Sequence, residues 1–231
     1  MEKCYVIKFD RLIGYKEGLE LQKRAFDLIN DEKNEMVGII LIMQHKTVFT
    51  IGRNGGKENL LISQEKLEEE GIELYDSSRG GNITYHGPGQ LVAYPLLNLN
   101  RFKKDIHWYV RQLEEVVIRT LKTYGIEGGR KPKYPGVWVK DSKITAIGVK
   151  VRRWITMHGL AFNIFVNKEH FRFINPCGIT EFGIASLDDF VQEVSYYQVE
   201  DRIVEKFKEV FEIELADCTE NNRLKEKLYE F

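Results

Sequence analysis

The chain has 231 residues, 43% of them hydrophobic, with 3 Trp, 11 Tyr and 13 Phe, enough apolar material for a sizeable core. Its formal net charge of −1 excludes an overall field that would steer it onto nucleic acid or an anionic membrane surface. Three scattered cysteines, Cys4, Cys177 and Cys218, are never spaced as CxxC, which argues against a disulfide scaffold or a zinc site and suits a reducing cytoplasm.

The first residues lack the apolar core of a signal peptide, and the longest apolar stretches, such as 36–43, are too short to span a bilayer. A soluble cytoplasmic protein is the expectation. Residues 4–9 alternate as a strand. Residues 15–30 bring Leu19, Ala25, Phe26 and Ile29 near helical spacing and predict an amphipathic helix. Residues 37–44 form a nearly continuous apolar run of strand length, expected to be buried on both faces. A second strand over 47–51 would follow through a tight His45-Lys46 connection.

Gly52-Arg53-Asn54-Gly55-Gly56 then forms a glycine-rich loop, ahead of Asn59-Leu60-Leu61 and a charged helix over 63–70 that Gly71 can cap. A strand over 72–75 enters, and one over 90–97 leaves, the stretch Arg79-Gly80-Gly81-Asn82-Ile83-Thr84-Tyr85-His86-Gly87-Pro88-Gly89-Gln90. Glycine and proline there exclude a helix interior, while the interleaved polar residues distinguish it from a flexible linker. Such a run fits a loop that lets a substrate approach the backbone. It fits a tight hairpin equally well.

Residues 106–124 give the clearest helix, with Val110, Leu113, Val117 and Leu121 on one face, Asp105 to cap its start and Gly125 its end. Runs of β-branched residues at 137–139 and 144–151 flank Lys140-Asp141-Ser142-Lys143 as a hairpin. Another strand follows over 156–164. Beyond the irregular Asn175-Pro176-Cys177-Gly178, a last helix opens on Ser195-Tyr196-Tyr197-Gln198, which has capping-box spacing. Ile203, Phe207, Val210 and Phe211 supply its apolar stripe, and the tail after Ala216 carries no assignment. The pattern predicts a single α+β domain over 1–231, with mixed β-sheets flanked by helices.

Cys177 is the sharpest nucleophile candidate, because Pro176 rigidifies its approach and Gly178 leaves room beside the sulfur. A small buried hydrophobe is the alternative. Of five histidines, His86 and His158 each precede a glycine, and either can serve as a base or as a hydrogen-bonded structural residue. No HExxH is present, and neither glycine-rich loop has the spacing of a nucleotide motif, so no metal is assigned. Lys143, by position alone, reads as a solvated turn lysine.

Several segments together resemble the lipoyl(octanoyl) transferases, the octanoyl-acyl-carrier-protein:protein N-octanoyltransferases. They are the stretch from Arg79 to Gln90 with Leu91-Val-Ala-Tyr-Pro-Leu-Leu-Asn-Leu99, then Gly136-Val-Trp-Val139 and Lys143-Ile-Thr-Ala-Ile-Gly-Val-Lys-Val151. Thr156-Met-His-Gly-Leu-Ala-Phe-Asn163 and Pro176-Cys-Gly-Ile179 complete the set. Order and spacing agree over about residues 41–187, and Asn82 stands where acidic residues are common in the family.

The resemblance implies the fold shared with biotin and lipoate-protein ligases. It also implies ping-pong acyl transfer through a thioester on Cys177, paired with Lys143. The donor would be octanoyl-4′-phosphopantetheinyl acyl carrier protein, with no other cofactor. The acceptors would be lipoyl domains of 2-oxoacid dehydrogenase complexes and the glycine cleavage H protein. Substrate-binding positions carry over to Arg79, Gly80, Gly81, Asn82, Ile83, Thr84, Tyr85 and His86. They carry over as well to Ala146-Ile147-Gly148 and to His158, Gly159, Leu160 and Ala161. Three other readings share the sequence: an ATP-dependent lipoate ligase, an octanoyl relay between octanoylated proteins, and a non-catalytic module that docks carrier proteins through Lys150, Arg152 and Arg153.

Overall fold

A strand buried on both faces must be covered on both, and residues 37–44 meet that demand. In a computed structural model, which describes residues 2–31, 33–175, 182–217 and 222–229, this run becomes a central strand. Its side chains alternate between two cores, with Ile40 and Ile42 in one and Ile39, Leu41 and Met43 in the other.

In chain order the elements are β1 (Glu2–Ile13), α1 (Tyr15–Asn30), β2 (Gly38–His45), β3 (Val48–Ile51), α2 (Gln64–Glu69), β4 (Glu73–Asp76), β5 (Ile83–His86) and β6 (Gln90–Leu97). Then come α3 (Ile106–Lys122), β7 (Gly129–Lys131), β8 (Tyr134–Val139), β9 (Ser142–Arg152), β10 (Ile155–Asn163), β11 (Gly183–Ile184), α4 (Tyr196–Phe211), β12 (Ile213–Asp217) and α5 (Asn222–Tyr229). The large sheet runs β12-β1-β2-β6-β10-β9-β8-β7, with β11 paired to β9, and a second sheet runs β4-β3-β5. Both mix parallel and antiparallel pairs. The α+β architecture expected from the sequence is the one observed.

Helices α3 and α4 cover one face of the large sheet, where Leu113, Val117 and Leu121 meet Ile203, Phe207 and Phe211. On the other face lies α1, with Leu21, Ala25, Phe26 and Ile29 turned inward beside Leu224 and Leu228 of α5. The 3.6-residue apolar stripes visible in the sequence are these buried faces. Asp105 caps α3 by accepting the Trp108 amide at 3.0 Å. Among the described residues no helix is long and apolar enough to cross a membrane.

Several expectations change. The tight connection at His45-Lys46 is present, but the two strands it joins are not neighbours: β3 leaves the large sheet and founds the second one. Ser195 occupies the N-cap of α4, but its carbonyl accepts the Val199 amide and its side chain makes no cap hydrogen bond. The tail beyond Ala216, which carries no assignment from sequence, follows β12, paired in parallel with β1, and contains α5, which packs on α1. Finally, the β8–β9 turn is Lys140-Asp141 alone, with Lys140 at φ +52°. Lys143 therefore lies inside β9, paired with Trp138 on one side and Ile184 of β11 on the other. It is not a turn residue.

Candidate active site

The two sheets meet along a cavity of about 500 Å³, within the range of small-molecule sites. Its floor is the middle of the large sheet, with Val92 and Tyr94 from β6 and Leu160 and Ala161 from β10. Antiparallel register sets Gly159 beside Gly148, Leu160 beside Ile147 and Ala161 beside Ala146, so the two small-residue segments of the sequence form one patch. Pairing between β8 and β9 ends at Ala146, which leaves the edge of β9 at Ile147 and Gly148 bordering the cavity. The segment 159–161, by contrast, lies inside the ladder between β6 and β9. Backbone donors for a substrate oxygen are therefore better sought on β9 than on β10.

The second wall is the Arg79–Thr84 loop with β5. Gly80 donates its amide to Val149 O at 2.9 Å, a close approach that glycine at 148 permits, since a Cβ there would meet Gly80 O at 2.9 Å. Arg79, 7% exposed, is clamped on β3. Its Nε and Nη2 donate to Thr50 Oγ1 at 3.2 and 2.9 Å, Nη2 also to Thr50 O at 2.6 Å, and Nη1 to Gly80 O at 3.0 Å. On β5, Thr84 and His86 line the cavity. Tyr85, the intervening residue, turns away to pack against Phe49 and Phe171. It is the one described member of the 79–86 set that does not line the cavity.

Three histidines are held neutral beneath this wall. His45, 0% exposed, bonds Ile13 O through Nδ1 at 2.9 Å and faces the Tyr94 hydroxyl through Nε2 at 2.7 Å. That pattern fixes Nδ1 as donor to the carbonyl and Nε2 as acceptor from tyrosine. Burial pulls its pKa down to about 4. His86 is likewise held well below its ordinary value by burial, with His45 and Arg79 adding to the effect, and its Nδ1 contacts Gln90 Oε1 at 2.9 Å. Gln90 Nε2 passes the chain of bonds to Asn163 Oδ1 at 2.9 Å. Burial, with the Arg79 charge, lowers His158 to about 3. His158 sits in the left-handed region at φ +57°, its amide donating to Gln22 Oε1 at 2.7 Å. These rings are hydrogen-bonding orienters at neutral pH.

Lys143 is different in kind. Half-buried on the opposite wall, it donates from Nζ to Pro135 O at 3.3 Å and lies 4.8 Å from the centre of the Trp138 ring. Cys177 falls outside the described residues. Its described flanks are tied down on both sides. The Asn175 amide donates to Asn59 O at 2.7 Å, Phe182 packs on Trp138, and Gly183-Ile184 pairs with Ser142-Lys143.

Lys143, Ala146, Ile147, Gly148, His158, Gly159, Leu160 and Ala161 all line the one cavity, as do Arg79, Gly80, Gly81, Asn82 and Ile83. Sequence reasoning missed Tyr15, Tyr94 and Asn163 as lining residues. Tyr94 and Asn163 sit within the quoted motifs and were open to notice; nothing local marks Tyr15.

A family model described as the lipoyl protein ligase A/B catalytic domain matches residues 14–208. The chain belongs to this family of acyl-transferring and ligating enzymes. It is 57% identical over 215 residues to an octanoyltransferase of Clostridium kluyveri, covering 93% of this chain and 91% of that one. To an octanoyltransferase of Thermoanaerobacter sp. it is 48% identical over 220 residues, 95% of each chain. Among solved structures it is similar to Ta0514, a putative lipoate protein ligase from T. acidophilum with bound lipoic acid, at TM-score 0.76 and 18% identity, covering 100% of this chain and 94% of that one. That last likeness shows the shared fold.

Proposed function

We propose that this enzyme carries an octanoyl group from octanoyl-acyl carrier protein to a lysine of a lipoyl domain by way of a thioester on Cys177. The chain is an acyltransferase of the octanoyltransferase kind, acting in protein lipoylation. The observation that carries the finer reading is the convergence of segments distant in sequence on one cavity. An apolar floor can hold an acyl chain, and the Lys143 ammonium stands at the wall to which the flanks of Cys177 are anchored, with Lys133 also lining the cavity.

In the first half-reaction the Cys177 sulfur attacks the donor's thioester carbonyl carbon, and the phosphopantetheine thiol leaves with the proton that cysteine gives up. In the second, the acceptor lysine's neutral amine attacks the new thioester, the C–S bond breaks, an amide forms, and Cys177 leaves as a thiol with the proton the amine gives up. Thioester exchange is nearly balanced in energy, so aminolysis drives the cycle. Lys143 supports both steps, as an ammonium favouring thiolate or as an amine relaying the proton. Neutral His86 and His158 suit the cavity, because they add no charge beside an acyl chain. The Ile147 amide, on the edge of β9 beyond its pairing with β8, would receive the carbonyl oxygen as charge develops on it.

Intact-mass measurement after mixing with octanoyl-acyl carrier protein, without ATP, tests this reading. One octanoyl adduct on the wild type and none on Cys177→Ala is expected. Modification of a lipoyl domain only when ATP is supplied would replace the reading with that of a ligase.

A further inference from the structure

A buried carboxylate that neither the motifs nor the proposed chemistry uses lies behind the Lys143 wall. Glu114, on α3, is 2% exposed. Its Oε2 accepts from Arg111 Nη1 at 2.7 Å and from Arg130 Nε at 3.0 Å. Those two arginines neutralise it, and the pairings alone would make it a structural ion pair. Its other oxygen does something else: Oε1 accepts the Gly136 amide at 3.1 Å.

The amide of Gly136 and the carbonyl of Pro135 belong to one planar peptide group. Glu114 therefore holds the N–H end of the same plane whose C=O end receives Lys143 Nζ at 3.3 Å. A carboxylate on the N–H polarises the carbonyl and makes it a stronger acceptor for an ammonium. The plane also needs holding. Gly136 has φ +130°, and a Cβ there would meet Thr145 O at 2.4 Å. Immediately beyond it the β8–β9 register shifts between Val137 and Trp138. Gly136 is the last β8 residue paired with β9, opposite Ala146, with Pro135 just beyond that pairing, and the helix behind supplies a further fixing contact at this end of the ladder.

We propose that Glu114 is a positioning residue for Lys143, acting through the Pro135–Gly136 peptide; the catalytic consequence rests on the function proposed above. Among the described charged groups on this wall, Lys133 lines the same cavity, Lys131 Nζ is 5.4 Å from the centre of the same Trp138 ring, and Asp141 pairs with Lys131 at 2.7 Å. Glu115, the next residue, bonds Arg119 and Arg130 on the helix surface and serves as a control.

The experiment compares Glu114→Leu, Glu114→Gln, Glu115→Gln and Lys143→Ala in the full chain. Octanoyl transfer is timed, thermal unfolding checks the fold, and the Lys143 amine is titrated by pH-dependent acetylation read by mass spectrometry. Glu114→Leu should slow transfer about tenfold to a hundredfold at unchanged acceptor KM, the scale of a misplaced catalytic group. It should also lower the Lys143 titration by about one unit, because the ammonium loses an acceptor. Glu114→Gln keeps an oxygen for the Gly136 amide and should recover most of the rate, while Glu115→Gln should match wild type. A folded Glu114→Leu with wild-type rate and titration overturns the proposal, and so does a Glu114→Gln as slow as Glu114→Leu. If Glu114→Leu does not fold, Glu114→Ala takes its place. Should Lys143→Ala transfer at full rate, the catalytic role of Lys143 falls, and the titration alone decides whether Glu114 positions it.

Discussion

The two walls of the cavity are built on opposite principles. The Arg79–His86 wall is buried and its groups are held by several hydrogen bonds each: Arg79 on Thr50, His45 between Ile13 and Tyr94, His86 on Gln90. Its histidines are neutral and its guanidinium is clamped, so little in it can change protonation or move. The β8–β9 wall carries a half-buried lysine on a carbonyl, beside a register shift and a glycine at positive φ. On the function proposed above, one wall shapes and the other reacts. The lesson is that the stretch of the sequence richest in recognisable residues is the template, while the reactive side rests on groups that look ordinary in one dimension.

Predictions that break this contrast can be ranked by size. Losing Cys177 should be the largest: Cys177→Ala should reduce transfer at least about a thousandfold, as removal of a nucleophile does, and quenched-flow transfer assays would detect any residual rate. Lys143→Met keeps the stem and removes the charge, and should cost about a hundredfold in rate with little change in stability. The opposite profile is expected across the cavity. Arg79→Met should cost about 3 kcal/mol of stability in urea unfolding, because buried groups lose their partner. An Arg79→Met protein as stable as wild type, but inactive, would erase the distinction between the walls.

A further expectation concerns stability rather than rate, as a pH dependence. His45 and His158 have folded values of about 4 and about 3, against 6.5 for an unperturbed ring. The unfolded chain binds protons first as pH falls, so their contribution is complete above about pH 6.5 and is lost progressively toward pH 4 and below. Melting temperature should therefore fall between about pH 7 and pH 4.5. A flat profile over that interval would mean the rings are not held neutral.

How much of this was legible beforehand varies by element. Periodicity located α1 and α3 closely, and the double-faced burial of β2, because buried stripes leave apolar residues at fixed intervals. It said nothing of which strands pair, so the departure of β3 to a second sheet went unseen. Strand β12 went unread for a related reason: Ile213-Glu214-Leu215-Ala216-Asp217 is a short, partly polar run, a weak signal until β1 supplies a partner. At the site, the motif resemblance brought in Lys143 where local pattern read a turn lysine. Glu114 left no trace, since a glutamate in an amphipathic helix is the commonest of surface residues, and only the third dimension turns it inward.

The pairing of β12 with β1 carries a practical consequence for anyone who trims this chain. A fragment ending after α4 would strip the outer strand and leave Lys3, Cys4, Tyr5 and Val6 on an exposed edge of unsatisfied amides and carbonyls. It would also uncover the surface of α1 that Leu224 and Leu228 shield. Such a fragment would retain every cavity-lining residue named above and would still be sticky, self-associating edge to edge before it ever met a substrate.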